Sequence, residues 1–177
     1  KRPEALVAFR KAIEITPADA EVYYNFAILL QDLGRLDEAE ASYRQAIKFK
    51  NNHAEAYSNL GITLQALGKL HEAETTYRQA LKFRPDFAEA QSNLGNSLQE
   101  LGRLDQAETV YRQAIASKAD FAESHNNLGV TLRELGKLEG AEASFRQAIK
   151  LKPDFVEARS NWGNTLQELG RLDEAEA

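Results

Sequence analysis

The chain has 177 residues, of which 22 are Lys or Arg and 27 are Asp or Glu, and its formal net charge is -5. The charges form no basic run or stripe, which argues against nucleic-acid binding. The absence of cysteine excludes disulfides and thiolate metal sites and fits a cytoplasmic protein. No apolar run is long enough to cross a membrane, and no signal-peptide pattern is present.

The sequence repeats itself every 34 residues. Residues 1–19 are the second half of a copy and predict a single helix. Full copies occupy residues 20–53, 54–87, 88–121 and 122–155. Residues 156–177 are a copy cut short, so we expect the chain to be a fragment of a longer solenoid. A fixed period of this size predicts one domain of stacked repeats, in which each unit buries its apolar face against the next.

Each full copy contains two helical patterns. In the copy at 54–87 the small and apolar residues are Ala56, Leu60, Gly61, Leu64 and Leu67, then Leu70, Ala73, Tyr77, Ala80 and Leu81. Spacings of three and four residues predict one buried face on each of two α-helices. A glycine follows the first pattern in every copy: Gly34, Gly68, Gly102, Gly136 and Gly170. Such a glycine favours a left-handed helix end. No strand pattern occurs, so the sequence predicts an all-α fold of helix pairs.

Two positions of the copy predict how the helices of a pair approach each other. The eighth position is small in every copy: Ala27, Gly61, Gly95, Gly129 and Gly163. The twenty-fourth is aromatic: Tyr43, Tyr77, Tyr111 and Phe145. We expect the small residue to permit close approach and the aromatic ring to fill the space between neighbouring units.

The joints between copies contain an acidic pattern. Asp86 and Asp154 each precede a glutamate by three residues, Glu89 and Glu157. This spacing predicts a capping-box start for the next helix.

These residues resemble the tetratricopeptide repeat. Its pattern of a large residue at position seven, a small one at eight, alanine at twenty and twenty-seven, and an aromatic at twenty-four covers essentially the whole chain. The resemblance implies a right-handed superhelical solenoid of antiparallel helix pairs whose first helices line a concave groove. It also implies a non-catalytic scaffold that binds other proteins, often as extended peptides. The sequence pattern NLG…LGRLDEAE is similar to that of the superhelical arms of O-GlcNAc-transferase-like proteins. This resemblance implies an alternative function, as the substrate-recruiting arm of a larger glycosyltransferase.

Two polar positions are the same in every full copy and in the last one. Position six is Asn25, Asn59, Asn93, Asn127 and Asn161, and position two is Glu21, Glu55, Glu89, Glu123 and Glu157. The spacing of four residues places each pair on one helix face. An asparagine amide has donors and an acceptor and is able to bind the backbone of an extended peptide. We therefore expect both rows to contact a peptide in the groove.

A second interpretation of both rows stays open. The asparagines also suit a bridge between adjacent helices, and a glutamate in a first helical turn is favoured by the helix dipole. Position thirteen contributes Glu100, Glu134 and Glu168, so we expect the groove to prefer neutral or basic peptides.

Catalytic chemistry has no pattern in this sequence. His53, His71 and His125 occupy different positions of their copies and form no shared metal-ligand spacing. No nucleophile motif or phosphate loop occurs. We expect no enzyme activity, no metal and no cofactor.

The incomplete end copies predict head-to-tail self-association. The helix around Ala5, Phe9 and Ala12 has an apolar face and lacks the first helix of its own copy. An exposed apolar end invites association, and head-to-tail contacts do not close. We expect this helix to dock on the open last copy of a neighbouring chain. A self-assembling structural solenoid is thus a third possible function.

Overall fold

The structure, a computed structural model, describes the backbone of residues 2–171 and the side chains of residues 4–171. Every regular element in this range is an α-helix, which confirms the all-α prediction. The ten helices are α1 (Arg2–Ile15), α2 (Ala20–Asp32), α3 (Leu36–Phe49), α4 (Ala54–Ala66), α5 (Leu70–Phe83), α6 (Ala88–Glu100), α7 (Leu104–Ser117), α8 (Ala122–Glu134), α9 (Leu138–Leu151) and α10 (Val156–Glu168). The start of the second helix expected in the last copy, at 172–177, lies outside the described residues.

The helices form two compact units, Lys1–Pro85 and Asp86–Ala177, called unit 1 and unit 2 below. In unit 1, α2 pairs with α3 and α4 pairs with α5, while α1 packs on α2 and α3 on α4. In unit 2, α6 pairs with α7 and α8 with α9, while α7 packs on α8 and α10 on α9. Each unit is therefore a stack of sequence-adjacent helix pairs, which confirms the predicted solenoid architecture. Whether the chain acts as one domain stays a prediction.

The glycines at the ends of the first helices have the predicted left-handed backbone, with φ between 71° and 74°. Around Gly34, the Gly34 N–H donates to the Gln31 carbonyl and the Arg35 N–H donates to the Leu30 carbonyl, each at 2.9 Å. This pair of bonds is a Schellman motif, which satisfies carbonyls that the helix end would otherwise leave without a donor. The motif turns the chain tightly into the second helix.

The predicted capping boxes are wrong. The N-cap residue of α6 is Phe87, one residue after Asp86, and it makes no side-chain cap hydrogen bond. The same holds for Phe155 before α10. Only α2 shows a side-chain cap among the described helices, because Asp19 itself stands at the N-cap and accepts from the Glu21 and Val22 N–H groups. An aspartate one position earlier does not reach the first turn in the same way.

In the core of each described helix pair, an aromatic ring of the second helix packs against a small residue of the first helix. Tyr43, Tyr77, Tyr111 and Phe145 are fully buried. A Cβ atom added to Gly95 would lie 2.5 Å from Cε1 of Tyr111, and one added to Gly61 would lie 2.5 Å from Cε1 of Tyr77. These distances are shorter than a normal carbon–carbon contact of about 3.5–4.0 Å. The glycine therefore sets how closely the two helices pack.

Replacing Gly95 by alanine is expected to destabilise the protein, because the added methyl group displaces the Tyr111 ring. Ala27 occupies the same position in the first full copy, so a helix pair is able to adjust, and we expect a cost of about 1 kcal/mol, at the lower end of overpacking effects. Gly163→Ala is the matched control, since, apart from its own stretch of helix, no atom of residues 4–171 lies within 4 Å of its added Cβ. The control should stabilise by up to about 1 kcal/mol through helix propensity. Urea unfolding curves that show the same effect for both variants would contradict the packing role.

Acidic residues of the second helices connect successive copies. Lys69 Nζ donates to Glu40 Oε2 at 2.8 Å, and Lys137 Nζ donates to Glu108 Oε2 at 2.6 Å. Each glutamate also pairs with an arginine four residues later on its own helix, Arg44 or Arg112. The pKa of Glu108 is lowered, first by the hydrogen bond from Lys137 and then by Arg112. These pairs are part of the contact between one repeat and the next.

The Glu108 ion pairs predict a pH dependence of stability. Because its folded-state pKa is lowered, Glu108 contributes stability above its unfolded pKa of about 4.3, and this contribution is lost as the pH falls through the lower folded value. The free energy of unfolding of wild type minus that of Glu108→Gln should therefore be largest near neutral pH and shrink below pH of about 4. Exposed Glu139, which has no ion-pair partner among the described residues, provides the control Glu139→Gln. A difference that grows on acidification would refute this assignment.

Candidate functional site

The position-six asparagines lie on the first helices of the pairs and bridge neighbouring copies. Asn59 Nδ2 donates to Tyr24 Oη at 3.2 Å in unit 1. In unit 2, Asn127 Nδ2 donates to Asn96 Oδ1 at 2.9 Å and Asn161 Nδ2 donates to Asn126 Oδ1 at 3.2 Å. All three asparagines are half-buried. The structure thus gives these amides the bridging role that the sequence left open, and it leaves the ligand role of the row as a prediction.

The other two members of the row differ. Asn25 is exposed and Asn93 is half-buried. Neither makes a side-chain hydrogen bond with another described residue. The sequence alone gives no sign of this difference, because the residue type is the same and only its neighbours change.

A hydrogen-bond network in unit 2 positions the amide groups of α6 and α8. The Tyr111 hydroxyl, on the buried aromatic of the pair, donates to Asn96 Oδ1 at 2.6 Å and contacts Gln99 Oε1 at 3.3 Å. Burial raises the pKa of this hydroxyl well above its usual range, so it remains a donor. Asn96 Oδ1 accepts from both Tyr111 and Asn127. Its lone pairs are thereby occupied, and its Nδ2 group is the part of the amide that remains for a ligand.

These amides line an open groove of about 460 Å³ in unit 2. Its walls come from α6, α8 and α10: Asn96, Gln99, Glu100, Asn127, Val130, Glu134 and Glu157. Gln99 Nε2 donates to Glu134 Oε1 at 3.0 Å, and Asn126 Nδ2 donates to Glu157 Oε1 at 3.2 Å. The groove is thus polar with three carboxylates and no basic side chain among its lining residues. Asn126 and the Tyr111 hydroxyl were not predicted as parts of this site, because their roles depend on which helices are adjacent.

The position-two glutamates of the four full copies have partners inside their own copies. Each carboxylate accepts from a basic residue 29 positions later, at the end of the second helix. The pairs are Glu21–Lys50 and Glu55–Arg84 at 2.8 Å, and Glu89–Lys118 and Glu123–Lys152 at 3.2 Å. The pKa of Glu123 is lowered, first by its own backbone N–H and then by Lys152. Contact of Glu55, Glu89 and Glu123 with a peptide stays a prediction, and each of these carboxylates already has a cation.

His53 is part of the fold of unit 1. It is 5% exposed, its Nδ1 lies 3.1 Å from Glu55 Oε2, and its ring centroid lies 4.7 Å from that of Tyr24. His53 takes the position that Phe87, Phe121 and Phe155 hold in later copies. Within the described residues, no group of three or more His, Asp or Glu side chains is placed to hold a metal ion.

The helix predicted to self-associate already packs within its own chain. Phe9 and Phe26 have ring centroids 5.8 Å apart, and Phe9, Ala5 and Ala12 are half-buried. Its exposed apolar residues are Val7 and Ile15, 68% and 70% exposed. Docking of this helix on a second chain stays a prediction.

Between residues 2 and 171, none of the helices combines the length and the apolar character that a bilayer crossing demands.

Three sequence models of the tetratricopeptide repeat match the chain. One matches residues 20–86 and 52–120, a second matches residues 92–154, and a third matches residues 132–177. Comparison with curated proteins gives no significant sequence match.

Several solved structures resemble this fold. YrrB, described as a protein of this repeat class with an unusual peptide-binding site, is 27% identical, with a TM-score of 0.79 over 95% of this chain and 87% of that one. MamA from Desulfovibrio magneticus RS-1 is 22% identical, with a TM-score of 0.81 over 89% of both chains. The pilF protein of Pseudomonas aeruginosa is 18% identical, with a TM-score of 0.87 over 99% of this chain and 80% of that one. The last two support the fold alone.

Replacing Asn127 by alanine should lower stability, because its bond to Asn96 between α8 and α6 of neighbouring copies is lost. We expect a cost of about 0.5–1.5 kcal/mol, typical of one net hydrogen bond. Asn93→Ala is the matched control, since Asn93 has the same repeat position but no such bond, and alanine is the better helix former. Its stability should be unchanged or raised. Equal losses for the two variants in urea unfolding would refute the bridging role.

Proposed function

Because the chain belongs to the tetratricopeptide repeat family, we propose that it is a protein-interaction scaffold whose unit 2 groove binds extended peptides with neutral or basic side chains. The binding requires no chemical step. Its elements are the amides of Asn96 and Asn127, which contact the peptide backbone, and the carboxylates around them, which select its charge.

The observation that carries the proposal is the orientation of Asn96. Tyr111 and Asn127 both donate to Asn96 Oδ1, so Nδ2 is the group of Asn96 that remains for a ligand in the groove that Asn96 lines. A fixed donor suits the carbonyl of an extended peptide, because little side-chain entropy is lost on binding. The bridging bond and the ligand bond use different groups of the paired amides. The two interpretations of the asparagine row are therefore compatible.

The charge of the groove supports a preference for basic peptides. Glu100, Glu134 and Glu157 line it, and the groups that donate to Glu134 and Glu157 from Gln99 and Asn126 are uncharged amides. Lysine or arginine side chains of a peptide are attracted to such a surface, and acidic peptides are repelled. The attraction acts mainly between partly exposed groups and should weaken with salt.

The likeness to YrrB adds support of a different kind. That protein has this fold and a peptide-binding site. For the present chain, the position-six asparagines of unit 1, Asn25 and Asn59, are proposed as further backbone contacts.

The proposal predicts selective binding of a basic peptide by fluorescence anisotropy. The probe is a fluorescein-labelled nonapeptide of alternating lysine and alanine, with a glutamate–alanine peptide as its counterpart. Wild type should bind the lysine peptide and not the glutamate peptide. Asn96→Ala and Asn127→Ala should each weaken binding by about five- to tenfold, the loss expected for one hydrogen bond.

A surface asparagine provides the control. Asn52 is exposed in the turn before α4, so Asn52→Ala should bind the lysine peptide like wild type. Glu134→Gln should weaken binding more at low salt than at high salt. Equal affinity of wild type, Asn96→Ala and Asn127→Ala for the lysine peptide would remove the groove amides from the mechanism.

A further inference from the structure

Unit 2 contains a second cavity, also of about 460 Å³, between α7, α8 and α9. Its floor is formed by Leu128 and Leu132, and Ile115 forms part of its wall. On α8, the residues of this pocket and those of the groove differ by about half a helical turn, since each residue advances about 100°. The pocket and the groove therefore lie on opposite faces of α8.

Several side chains that line the pocket are smaller than those at the matching joint of unit 1. Four lining residues have the same type at both joints. They are Arg112, Ile115, Leu128 and Leu132 in unit 2, and Arg44, Ile47, Leu60 and Leu64 in unit 1. Five further lining residues differ between the two joints. Unit 2 has Ala116, His125, Gly140, Ala143 and Ser144 where unit 1 has Lys48, Tyr57, Glu72, Thr75 and Thr76. Every one of these five replacements removes volume. The apolar floor is thereby left with less cover.

Gly140 changes the charge of the pocket as well as its size. In unit 1, Arg44 Nη2 donates to Glu72 Oε2 at 2.8 Å, across the joint, as well as to Glu40. In unit 2 a glycine replaces that second carboxylate. Arg112 keeps only the carboxylate of its own helix, Glu108, at 3.0 Å among the described residues.

The remaining carboxylate is shared between two cations. Glu108 accepts from both Arg112 and Lys137. Within this group of ion-paired side chains, Arg112 and Lys137 share the single carboxylate of Glu108. The equivalent cluster of unit 1 has Arg44 and Lys69 balanced by Glu40 and Glu72. An acidic ligand would complete at Arg112 the ion pair that Glu72 completes at Arg44.

We propose that this pocket binds a peptide segment of a partner protein that carries a bulky aliphatic or aromatic side chain next to a carboxylate. The apolar side chain lies over Leu128 and Leu132 in the space that Gly140 leaves open. The carboxylate pairs with Arg112. The site is independent of the proposed groove, and it selects the opposite charge.

The test uses a labelled hexapeptide with a central Leu-Phe pair between two glutamates on each side. Fluorescence anisotropy should show saturable binding to wild type. Gly140→Glu restores the residue of the other joint, fills the pocket and pairs with Arg112, so binding should be lost. This variant should still fold, because glutamate favours a helix more than glycine does. Arg112→Gln should weaken binding about fivefold or more, through loss of a charge-assisted hydrogen bond.

Matched controls separate the pocket from general charge effects. Gln106→Glu adds the same carboxylate at the same repeat position on α7, outside the pocket, and should bind the hexapeptide like wild type. Two variant peptides test the ligand: one has lysine in place of glutamate, and the other has serine in place of Leu-Phe. Any binding of these peptides should be the same for wild type and Gly140→Glu. Circular dichroism melting of each variant confirms that it is folded.

Three results would overturn the proposal. The first is equal binding of the acidic hexapeptide by wild type and Gly140→Glu, and the second is no binding by wild type at millimolar peptide. The third is concentration-dependent self-association of wild type in sedimentation velocity, which Gly140→Glu abolishes and the hexapeptide does not inhibit. In that case a second copy of the chain occupies the pocket. None of these results affects the lysine-peptide test of the groove.

Discussion

The contact between a small residue and an aromatic ring determines the geometry of the described helix pairs, and in three of these four pairs the small residue is a glycine. At Gly95 the ring of Tyr111 lies where a Cβ atom would stand, so the two helices are closer than two ordinary side chains would allow. The ring is buried, yet its hydroxyl extends far enough to donate to Asn96 on the groove-forming helix. One packing constraint therefore sets both the spacing of the helices and the orientation of a polar group at the candidate site. In unit 1 the Tyr43 hydroxyl donates to Gln31 in a similar way.

Charge pairing repeats with the same period as the packing. One row of glutamates pairs within its own copy, Glu21 with Lys50 for example, and another pairs with the next copy, as Glu40 does with Lys69. Exposed pairs of this kind contribute little stability each. Their regularity has another consequence, because a copy that lacks one member has an unbalanced charge. Gly140 is such a position, and it leaves Arg112 without the second carboxylate that Arg44 has in unit 1.

The helix α8 thus separates two surfaces of different chemistry. One face presents the amide and carboxylate groups of Asn127 and Glu134. The opposite face forms the floor of an apolar pocket beside Arg112. The two sites proposed on these faces would select peptide segments of opposite charge. Specificity of this type depends on repulsion of the wrong charge as well as attraction of the right one.

The sequence by itself determined that each copy forms two helices, where the first helix of a copy ends, and which faces of the helices are buried. These features depend on short spacings, on glycines such as Gly34 that alone readily adopt positive φ, and on small residues such as Gly95 opposite an aromatic. It did not determine the partners of the polar residues. Glu123 pairs with a lysine 29 positions away, and Asn161 bonds to an asparagine 35 positions away. Only the tertiary structure decided these contacts, because they depend on the placement of one helix against another, where a shift of a few ångströms decides whether a hydrogen bond forms.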